Sequence, residues 1–378
     1  MVGAHRRAPL GARRRWTVAA LCAVVIVAAV VGALVVHAKH QTAVAHVTTT
    51  TTLPASTTTT VAPTVTVAAV GDSELGNTPD VPSNPLAYLA PIKNALAAPI
   101  VFGNLEGTMT DASTSKCAAT STNCYAFRVP TSFASDYRRI GFTVLNSANN
   151  HSHDFGAQGA LDTTAALRAA GIVQAGLPGQ IGVTHEGPTR VAFVDFAPYA
   201  NTNDLLNFSA AAILIHRAKQ MANVVVVYMH AGAEGASADH VTRQTETYVG
   251  EDRGNPYAFA HAAIDDGAAL VIASGPHVLR GMEWYRGHLI DYSLGDFANY
   301  DNFYAAGDLA LSAILHVTLS SGGSFVSGRF TSVRLTPGGQ PFVDATNAAA
   351  IFVNQLSKAD FGASAALIEG NGTIAGSG

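Results

Sequence analysis

The chain has 378 residues, of which 48% are apolar and 13% are charged, a composition that excludes a largely disordered protein because a sizeable core is available. The formal net charge is −4, but residues 1–65 hold six cations and no acid, so the remaining 16 cations and 26 acids give the rest −10. We therefore expect no nucleic-acid partner, since phosphate binding requires a basic face. Three cysteines exclude a disulfide-built scaffold and a cysteine-type zinc module.

Residues 16–37 predict a membrane-spanning signal anchor. All residues from Trp16 to Val36 except Thr17 are apolar or small, and about 20 such residues cross about 30 Å of hydrocarbon. Five arginines lie in the preceding basic segment, 1–15, so the positive-inside rule places the N-terminus in the cytoplasm and the main domain outside the cell membrane. The alternative is a cleaved signal peptide, because residues 36–38 and 43–45 are small-x-small sites.

The segment 38–65 is rich in threonine and proline and predicts an extended linker, because such a tract cannot bury apolar area. A single globular domain is expected over 66–345, followed by a C-terminal tail, 346–378, to which we assign no function. Cys117 and Cys124 lie in a polar segment of this domain. In an oxidising compartment they are expected to form a local disulfide, and two free surface thiols are the alternative.

Short β-branched runs alternate with alanine-rich helical stretches over most of the domain, which predicts an α/β fold. The helices are predicted at 86–97, 132–140, 157–170, 205–221 and 256–266, and the strands at 65–70, 99–102, 143–147, 172–175, 190–196, 223–229 and 269–273. Four further strands, expected to form antiparallel hairpins, are predicted at 282–286, 288–292, 309–319 and 324–335.

Polar side chains follow five of the predicted strands at the points where the strands end. These residues are Asp72 and Glu74, then Asn104 and Glu106, then Asn150, His151 and Asp154, then His230 and Glu234, and finally His277. Each alone is as well explained by a turn, a cap or a structural histidine. Together they offer the oxygen and nitrogen ligands that bind Mn²⁺, Fe, Zn²⁺ or Mg²⁺, at the sheet edge where catalytic groups of α/β proteins gather.

The ordered set of motifs over residues 66–300 resembles a known family. The motifs are Gly71-Asp72, Asn104-Leu105-Glu106-Gly107, Asn149-Asn150-His151-x-x-Asp154-x-Gly156, His230-x-Gly232-x-Glu234, Ile264-Asp265-x-Gly267-Ala268, Pro276-His277-Val278 and Tyr292-Ser293-Leu294-Gly295. They are similar to those of CapA-type capsule and poly-γ-glutamate synthesis proteins, within the calcineurin-like metallophosphoesterase superfamily. The resemblance implies a four-layer α/β/β/α sandwich with a centre of two divalent ions.

The resemblance also implies roles for individual residues. Asp72 and His277 would bind the first ion, Glu106 would bridge the two ions, and Asn150 and His230 would bind the second. His151 matches a histidine that donates a proton to the leaving group, with Asp154 as its orienting partner or a substrate contact. Glu234 matches a family acid without a derived role.

The chain departs from the family pattern at the last metal motif. The family usually has His-Pro-His, and here Gly275 stands in place of the first histidine, so the second ion is expected to bind weakly unless water or a carboxylate completes its shell. Asp296 replaces a family asparagine. Glu74 takes the place of the histidine in the superfamily's Asp-x-His motif and is expected to restore part of the first site.

Two functions from different classes remain open at this point. The first is a metal-dependent hydrolase that acts on a phosphoester, acyl or amide bond in the synthesis of an anionic cell-surface polymer or its precursor. The second is a non-catalytic polymer-binding or assembly factor with an incomplete metal centre, which Gly275 favours. Both imply the cytoplasmic membrane as a partner and are compatible with other membrane synthesis proteins.

Overall fold

The computed structural model describes residues 63–118, 120–121 and 124–377. The predicted basic segment, membrane helix and nearly all of the linker lie outside the described residues. Among the helices that are described, none combines the length and the apolarity needed to cross a membrane.

The described part of the chain alternates strands and helices, as the pattern of apolar residues predicts. The strands are β1 (Thr64–Glu74), β2 (Ile100–Leu105), β3 (Thr108–Met109), β4 (Arg128–Val129), β5 (Val144–Asn146), β6 (Val173–Ala175), β7 (Gly182–Glu186), β8 (Thr189–Ala197), β9 (Asn203–Asp204), β10 (Val224–His230), β11 (Thr247–Tyr248), β12 (Glu251–Asp252), β13 (Leu270–Ser274), β14 (Met282–Tyr285), β15 (His288–Asp291), β16 (Asp296–Asn299), β17 (Leu311–Ser320), β18 (Phe325–Leu335) and β19 (Pro341–Val343). The α-helices are α1 (Pro85–Leu89), α2 (Phe133–Ile140), α3 (Gly156–Ala169), α4 (Phe208–Met221), α5 (Pro256–Asp265) and α6 (Ala348–Phe361), and the 3₁₀ turns are Ala90–Ile92, Ala236–Ala238, Gly307–Ala310 and Gly362–Ser364.

Asparagine side chains start several of the helices. Asn207 and Asn255 accept hydrogen bonds from the third backbone N–H that follows them, at the N-termini of α4 and α5. Such caps satisfy backbone donors that have no partner inside the helix. Pro256 stands at the first position of α5, where its missing N–H costs nothing.

The first sheet has eight strands among the described residues. Its order is β19-β18-β17-β1-β2-β5-β6, and β16 also pairs with β1. β1, β2, β5 and β6 are parallel, whereas β17, β18 and β19 form an antiparallel extension. The parallel pairing of β1 with β16 sets Asp72 opposite Asp296. Two carboxylates that are far apart in sequence thus become neighbours.

The second sheet, of seven strands in the described range, has the order β14-β15-β13-β10-β8-β7, with β9 paired to β8. β8, β10, β13 and β15 are parallel, and the edge strands β7 and β14 are antiparallel to their neighbours. The register of β10 and β13 sets His230 opposite Ser274. The mixed α/β class predicted from the sequence is confirmed.

The two sheets pack face to face around an aromatic centre. Phe102 of the first sheet stacks on Phe193 of the second with ring centroids 5.2 Å apart, and Tyr228 lies at the same distance from Phe102. Helices α1 to α3 cover the outer face of the first sheet, and α4 and α5 cover that of the second. The described chain therefore has four layers, two of helix outside two of sheet.

The C-terminal residues belong to this fold rather than to a separate tail. Helix α6 contacts β14 in one sheet and β17 and β18 in the other, and it buries Ala349 and Val353 in the core between the sheets. Ile368 and Ile374 are buried in the same core. The expected domain boundary at 345 therefore needs correction, because the apolar residues beyond it complete the core.

Two other expectations from the sequence also change. β1 continues through Glu74, so the motif after residue 70 lies within a bulged strand and not in a loop. The four late strands form hairpins in different sheets, β14–β15 in the second and β17–β18 in the first. Strands β7, β16 and β19 and helix α6 were not predicted. Cys117 and Cys124 form the expected disulfide.

Candidate metal centre

The candidate centre lies where parallel strands of both sheets end. Asp72 and Asn104 are register partners in the first sheet, and His230 and Ser274 are register partners in the second. The two sheets meet here directly, because the Ser274 hydroxyl donates a hydrogen bond to Asp72 Oδ1 and the Gly275 N–H donates one to Asp72 Oδ2 at 3.2 Å. This is the sheet edge at which the sequence places its catalytic groups.

Two clusters of candidate ligands share Asp72. One contains Asp72, His277 and Asp296, and the other contains Asp72, Glu106 and His230, with the ligand atoms of each cluster within 4.8 Å of one another. Asp72 is therefore common to both clusters, whereas Glu106, the predicted bridging carboxylate, lies in one of them. Asp296 is a candidate ligand that the sequence did not assign.

Individual distances show how closely these groups approach. In the first cluster His277 Nδ1 lies 2.7 Å from Asp296 Oδ1 and 3.3 Å from Asp72 Oδ2. In the second His230 Nδ1 lies 3.9 Å from Asp72 Oδ1, and its Nε2 lies 3.6 Å from Glu106 Oε1. Both imidazoles thus face carboxylate oxygens, the arrangement of a mixed nitrogen and oxygen ligand set.

Unpartnered buried oxygens test whether a cation fits this site. Glu106 Oε1 and both carboxylate oxygens of Glu74 are buried and find no hydrogen-bond partner among the described residues. Burial of an unpaired carboxylate is costly, and a bound cation removes that cost. Oxygen and imidazole ligands suit Mn²⁺, Fe, Zn²⁺ or Mg²⁺, so the residues present fit the divalent ions that the family resemblance implies.

Asn104 connects the carboxylates of the second cluster. Its amide Nδ2 donates to Asp72 Oδ1 at 2.7 Å and to Glu106 Oε2 at 2.5 Å. Its Oδ1 accepts hydrogen bonds from Asn146 and Asn149. In the sequence, Asn104 belongs to a motif but has no predicted role. Its position at the end of a buried strand is the signal for this hydrogen-bond network, because buried polar side chains need partners.

Glu74 and Asn150 lie beside the clusters. The pKa of Glu74 is raised well above its ordinary value, first by burial and then by the charge of Asp296. Asn150 Oδ1 lies 3.0 Å from His230 Nε2 and is therefore next to the second cluster. Both predicted ligands therefore lie at the centre, and Glu74 belongs to neither of the two carboxylate and histidine clusters.

His151 and Asp154 form a hydrogen-bonded pair. His151 Nδ1 lies 2.7 Å from Asp154 Oδ2, which also accepts a hydrogen bond from the Phe127 N–H at 2.6 Å. The ammonium of Lys116 lies 2.6 Å from Asp154 Oδ1. Asp154 is thus held from three sides and fixes the orientation of the His151 ring. Burial lowers the pKa of His151, although the hydrogen bond to Asp154 opposes the shift.

A cleft of about 430 Å³ is lined by His151 of this pair and by His277 of the first cluster. Its lining includes Lys116, Asn150, His151, Glu234, Arg253 and His277. Glu234 Oε2 lies 3.9 Å from His277 Nε2, and Glu234 Oε1 accepts a hydrogen bond from Arg253 at 2.6 Å. The predicted proton donor His151 and two of the predicted metal ligands, Asn150 and His277, therefore share one opening.

A family model described as "Bacterial capsule synthesis protein PGA_cap" matches residues 29–301. The chain belongs to this family. Among curated proteins it is 32% identical over 189 residues to the "PGA biosynthesis protein CapA" of Bacillus subtilis (strain 168), an alignment that covers 46% of each chain. It is 29% identical over 194 residues to the "Capsule biosynthesis protein CapA" of Bacillus anthracis, covering 46% of this chain and 44% of the relative. The matches thus span about half the length of these relatives.

Two solved structures are distantly similar. A 5'-nucleotidase precursor from Thermus thermophilus aligns with a TM-score of 0.38 at 13% identity, covering 77% of this chain and 58% of the other. The purple acid phosphatase PPD1 from yellow lupin (Lupinus luteus) seeds aligns with a TM-score of 0.36 at 10% identity, covering 75% and 54%. TM-scores of this size leave these likenesses without weight for the activity.

Gly275, where the chain departs from the family pattern, has a backbone conformation and surroundings that disfavour a side chain. Gly275 has a φ of +112°, a conformation that favours glycine. A Cβ atom there would lie 3.2 Å from the Ala231 backbone nitrogen and from carbon atoms of the His230 ring. A histidine side chain at this position would therefore be strained on the present backbone.

Neighbouring charges oppose the effect of burial on the pKa values of Asp72 and His277, whereas burial dominates at His230. Burial raises the pKa of Asp72, but the hydrogen bond from His277 and the charges of both histidines outweigh it and hold this pKa well below its usual range. Burial lowers the pKa of His277, yet the carboxylates of Asp296 and Asp72 raise it well above its ordinary value. Burial lowers the pKa of His230 to about 3, which leaves this ring neutral and available as a ligand.

Proposed function

We propose that this protein is a metal-dependent hydrolase of the metallophosphoesterase type. Its substrate would be a phosphoester, acyl or amide bond in an anionic cell-surface polymer or its precursor. The observation that carries the proposal is that His277 of the first cluster lines the same cleft as His151, together with Asn150, whose Oδ1 lies 3.0 Å from His230 of the second cluster. The family membership supports a role in capsule synthesis.

In this proposal Asp72, His277 and Asp296 would hold one divalent ion, and Asp72, Glu106 and His230 would hold the other, with Glu74 and Asn150 close by. When bound, such ions polarise a scissile group and lower the pKa of water. Asn104 keeps the carboxylates of Asp72 and Glu106 at a constant separation by donating to both. A preorganised ligand set of this kind avoids rearrangement during the reaction.

His151 would give a proton to the leaving group. Its Nδ1 faces Asp154, so its Nε2 is the nitrogen free to act on a substrate in the cleft. Asp154 would hold the ring in the required tautomer and orientation, and Lys116 and the Phe127 N–H would hold Asp154. The Phe127 ring, 4.6 Å from the imidazole between centroids, shields one side of it from water.

We also propose that the protein works outside the cytoplasm, held at the cell membrane by the predicted single-pass anchor and linker. The apolar run at 16–36 and the preceding arginines support this location. The anionic polymer and other membrane proteins of its synthesis are the proposed partners.

The test combines metal content with turnover of a chromogenic phosphodiester in the presence of Mn²⁺, on the full chain and on two histidine variants. His151→Ala should lower turnover by about 10² to 10⁴ and leave the metal content unchanged, because it removes a proton donor. His153→Ala is the matched control, since His153 is a half-buried neighbour whose Nδ1 lies 3.3 Å from the Ser152 hydroxyl. Its turnover should stay near that of the wild type.

If the protein binds no metal after loading and shows no turnover, the hydrolase proposal is rejected. The alternative, a polymer-binding or assembly factor, then takes its place. The observation that favours this alternative is the absence of the family's histidine at Gly275, where a φ of +112° disfavours any side chain. Loss of metal from His151→Ala would show that His151 is a ligand and not the proton donor.

A further inference from the structure

Arg253 is a buried cation beside the candidate centre that the proposed reaction does not use. Its side chain is 1% exposed, and it follows β12 in the chain. Its backbone N–H donates to Glu246 and its carbonyl accepts from the Gly232 N–H, so the main chain here is fixed at both ends of the residue. The Arg253 side chain therefore extends from a segment of backbone that is held in place.

The guanidinium is only partly satisfied. Its Nη1 donates to Glu234 Oε1 at 2.6 Å, whereas Nε and Nη2 are buried without a hydrogen-bond partner in the described part of the chain. A buried guanidinium offers five donors in a planar fork that matches two oxygens of an oxyanion. Two unpaired donors on a buried cation are costly unless a ligand accepts from them.

Arg253 lies at the cleft that also contains His151 and His277, and two tyrosine rings are close to its guanidinium. The rings of Tyr199 and Tyr248 lie 5.8 and 5.9 Å from its guanidinium carbon, which limits its movement.

Other charges at the cleft do not take this role. Lys116 lines the cleft too, but its ammonium is paired with Asp154. Glu251 lies at the cleft as an exposed acid and accepts a hydrogen bond from the Tyr199 hydroxyl at 3.5 Å. The centre itself is rich in carboxylates, so an anionic substrate needs a positive group close by.

We propose that Arg253 binds an oxyanion of the substrate, a phosphoryl oxygen or a carboxylate next to the bond that is cleaved. As an inference about the substrate, this rests on the proposed function. Arg253 would be a specificity-determining residue that accepts anionic substrates and discriminates against neutral ones. Glu234 would hold the guanidinium in place and compete with the anion for it.

The experiment measures anion binding to the full chain by calorimetry, in the presence of a chelator so that metal-bound anion does not contribute. The probes are inorganic phosphate and glutarate, which separate the two oxyanion classes. Arg253→Gln should weaken binding by about tenfold to a hundredfold, the loss expected for a hydrogen-bonded charge. Arg243→Gln is the matched control, because it removes an exposed guanidinium that stacks on Tyr257 and does not line this cleft.

Glu234→Gln separates anion binding from a purely structural role. If Arg253 binds the anion, loss of the competing carboxylate leaves affinity unchanged or makes it tighter. Weaker binding by Glu234→Gln would overturn the proposal, and this variant decides the question if Arg253→Gln does not fold. Binding by Arg253→Gln within threefold of the wild type, or no saturable binding by the wild type, would also overturn it.

Turnover is measured separately, so the two proposals fail independently. Arg253-dependent binding without turnover would retain the anion site and reject the hydrolase. Turnover together with anion binding that does not depend on Arg253 would retain the hydrolase and reject the anion site. Tighter binding of phosphate than of glutarate assigns the site to a phosphoryl oxygen, and the opposite order assigns it to a carboxylate.

Discussion

Asp72 is the side chain on which both candidate metal clusters depend. It is fully buried, it pairs with Asp296 through strand register, and it receives hydrogen bonds from Asn104, Ser274 and the Gly275 N–H. These contacts come from both sheets. The shared position of Asp72 follows from the meeting of the two sheets at one edge.

Asp72→Asn should therefore remove both metal ions, whereas Glu106→Gln should weaken only one. The physical reason is that Glu106 lies in a single cluster while Asp72 lies in both. Metal ions per chain, measured by mass spectrometry after loading and dialysis, check this. The opposite result, with both ions lost from Glu106→Gln and one kept by Asp72→Asn, would return the bridging role to Glu106.

Gly275→His should destabilise the centre and not add a ligand. At a φ of +112° any Cβ is strained, and here it would press on the Ala231 backbone and the His230 ring. Gly275→Ala is the control, because it adds the Cβ without an imidazole. Both variants should lose metal affinity in a calorimetric titration. A gain of a second ion by Gly275→His alone would show that the local backbone adapts.

The loop closed by the disulfide is the element that supports the His151–Asp154 pair. Lys116 directly precedes Cys117, its backbone N–H donates to the Asp154 carbonyl at 2.7 Å, and its ammonium pairs with the Asp154 carboxylate. Cys124 lines the cleft. The disulfide thus holds a loop that contacts the proposed proton donor's partner.

Replacing Cys117 and Cys124 together by serine should lower turnover, by up to about a hundredfold, because small misplacement of a catalytic group is costly. Metal content should not change, since the cluster residues lie on strands of the two sheets or just after them. Lys116→Met with the disulfide intact should reproduce part of the loss. Parallel turnover and metal assays measure this, and full turnover of the serine variant would remove the loop from the mechanism.

Helix α6 is linked to the loop before β11 by His240 and Asp360. His240 Nδ1 lies 2.6 Å from Asp360 Oδ1, and this hydrogen bond raises the pKa of His240 above its ordinary value of 6.5. Because the folded pKa is the higher one, the stabilisation is present below the unfolded pKa and is lost as the pH rises through the folded pKa. The His240 side chain is 57% exposed, so screening keeps the effect small.

His240→Gln should therefore lower the free energy of unfolding at about pH 5.5, by less than about 1 kcal/mol, and make no difference at about pH 8.5. Urea unfolding at the two pH values measures this. Asp360→Asn should show a loss with the same pH dependence. An effect of His240→Gln that is larger at the higher pH would contradict the assigned sign.

For the whole molecule, the core between the two sheets decides whether the centre exists at all. Phe102, Phe193 and Tyr228 pack across the interface, and Tyr228 reaches the centre through hydrogen bonds of its hydroxyl with Ser274 and His230. Burial raises the pKa of Tyr228 well above its ordinary value, so this hydroxyl keeps its proton. Packing of Tyr228 in the core therefore also helps to position His230 and Ser274 at the centre.

Phe102→Ala should lower the free energy of unfolding by about 3–5 kcal/mol, because it leaves a cavity between two sheets that cannot both move to fill it. Phe208→Ala is the control, since Phe208 is 39% exposed and its loss should cost at most about 2 kcal/mol. Denaturant unfolding of both variants measures this. Equal losses would indicate that the inter-sheet packing contributes no more than a surface contact.

The amino-acid sequence by itself determined the α/β class, the local disulfide, the family and most of the residues at the centre. Strand and helix positions follow from local periodicity, and the polar residues after each strand follow from the chemistry of sheet edges. These patterns are local in sequence, so they can be recognised without knowing which strands pair. The membrane anchor and the individual roles of the site residues stay predictions.

Only the tertiary structure showed that Asp72 belongs to both clusters, that Asp296 lies opposite it and that Gly275 has a positive φ. Asp72 and Asp296 are separated by most of the domain in sequence and become neighbours through the parallel pairing of β1 with β16. The partition of the late hairpins between two sheets and the burial of α6 are likewise long-range choices. Such choices depend on which apolar faces can be buried together, and no local pattern contains that information.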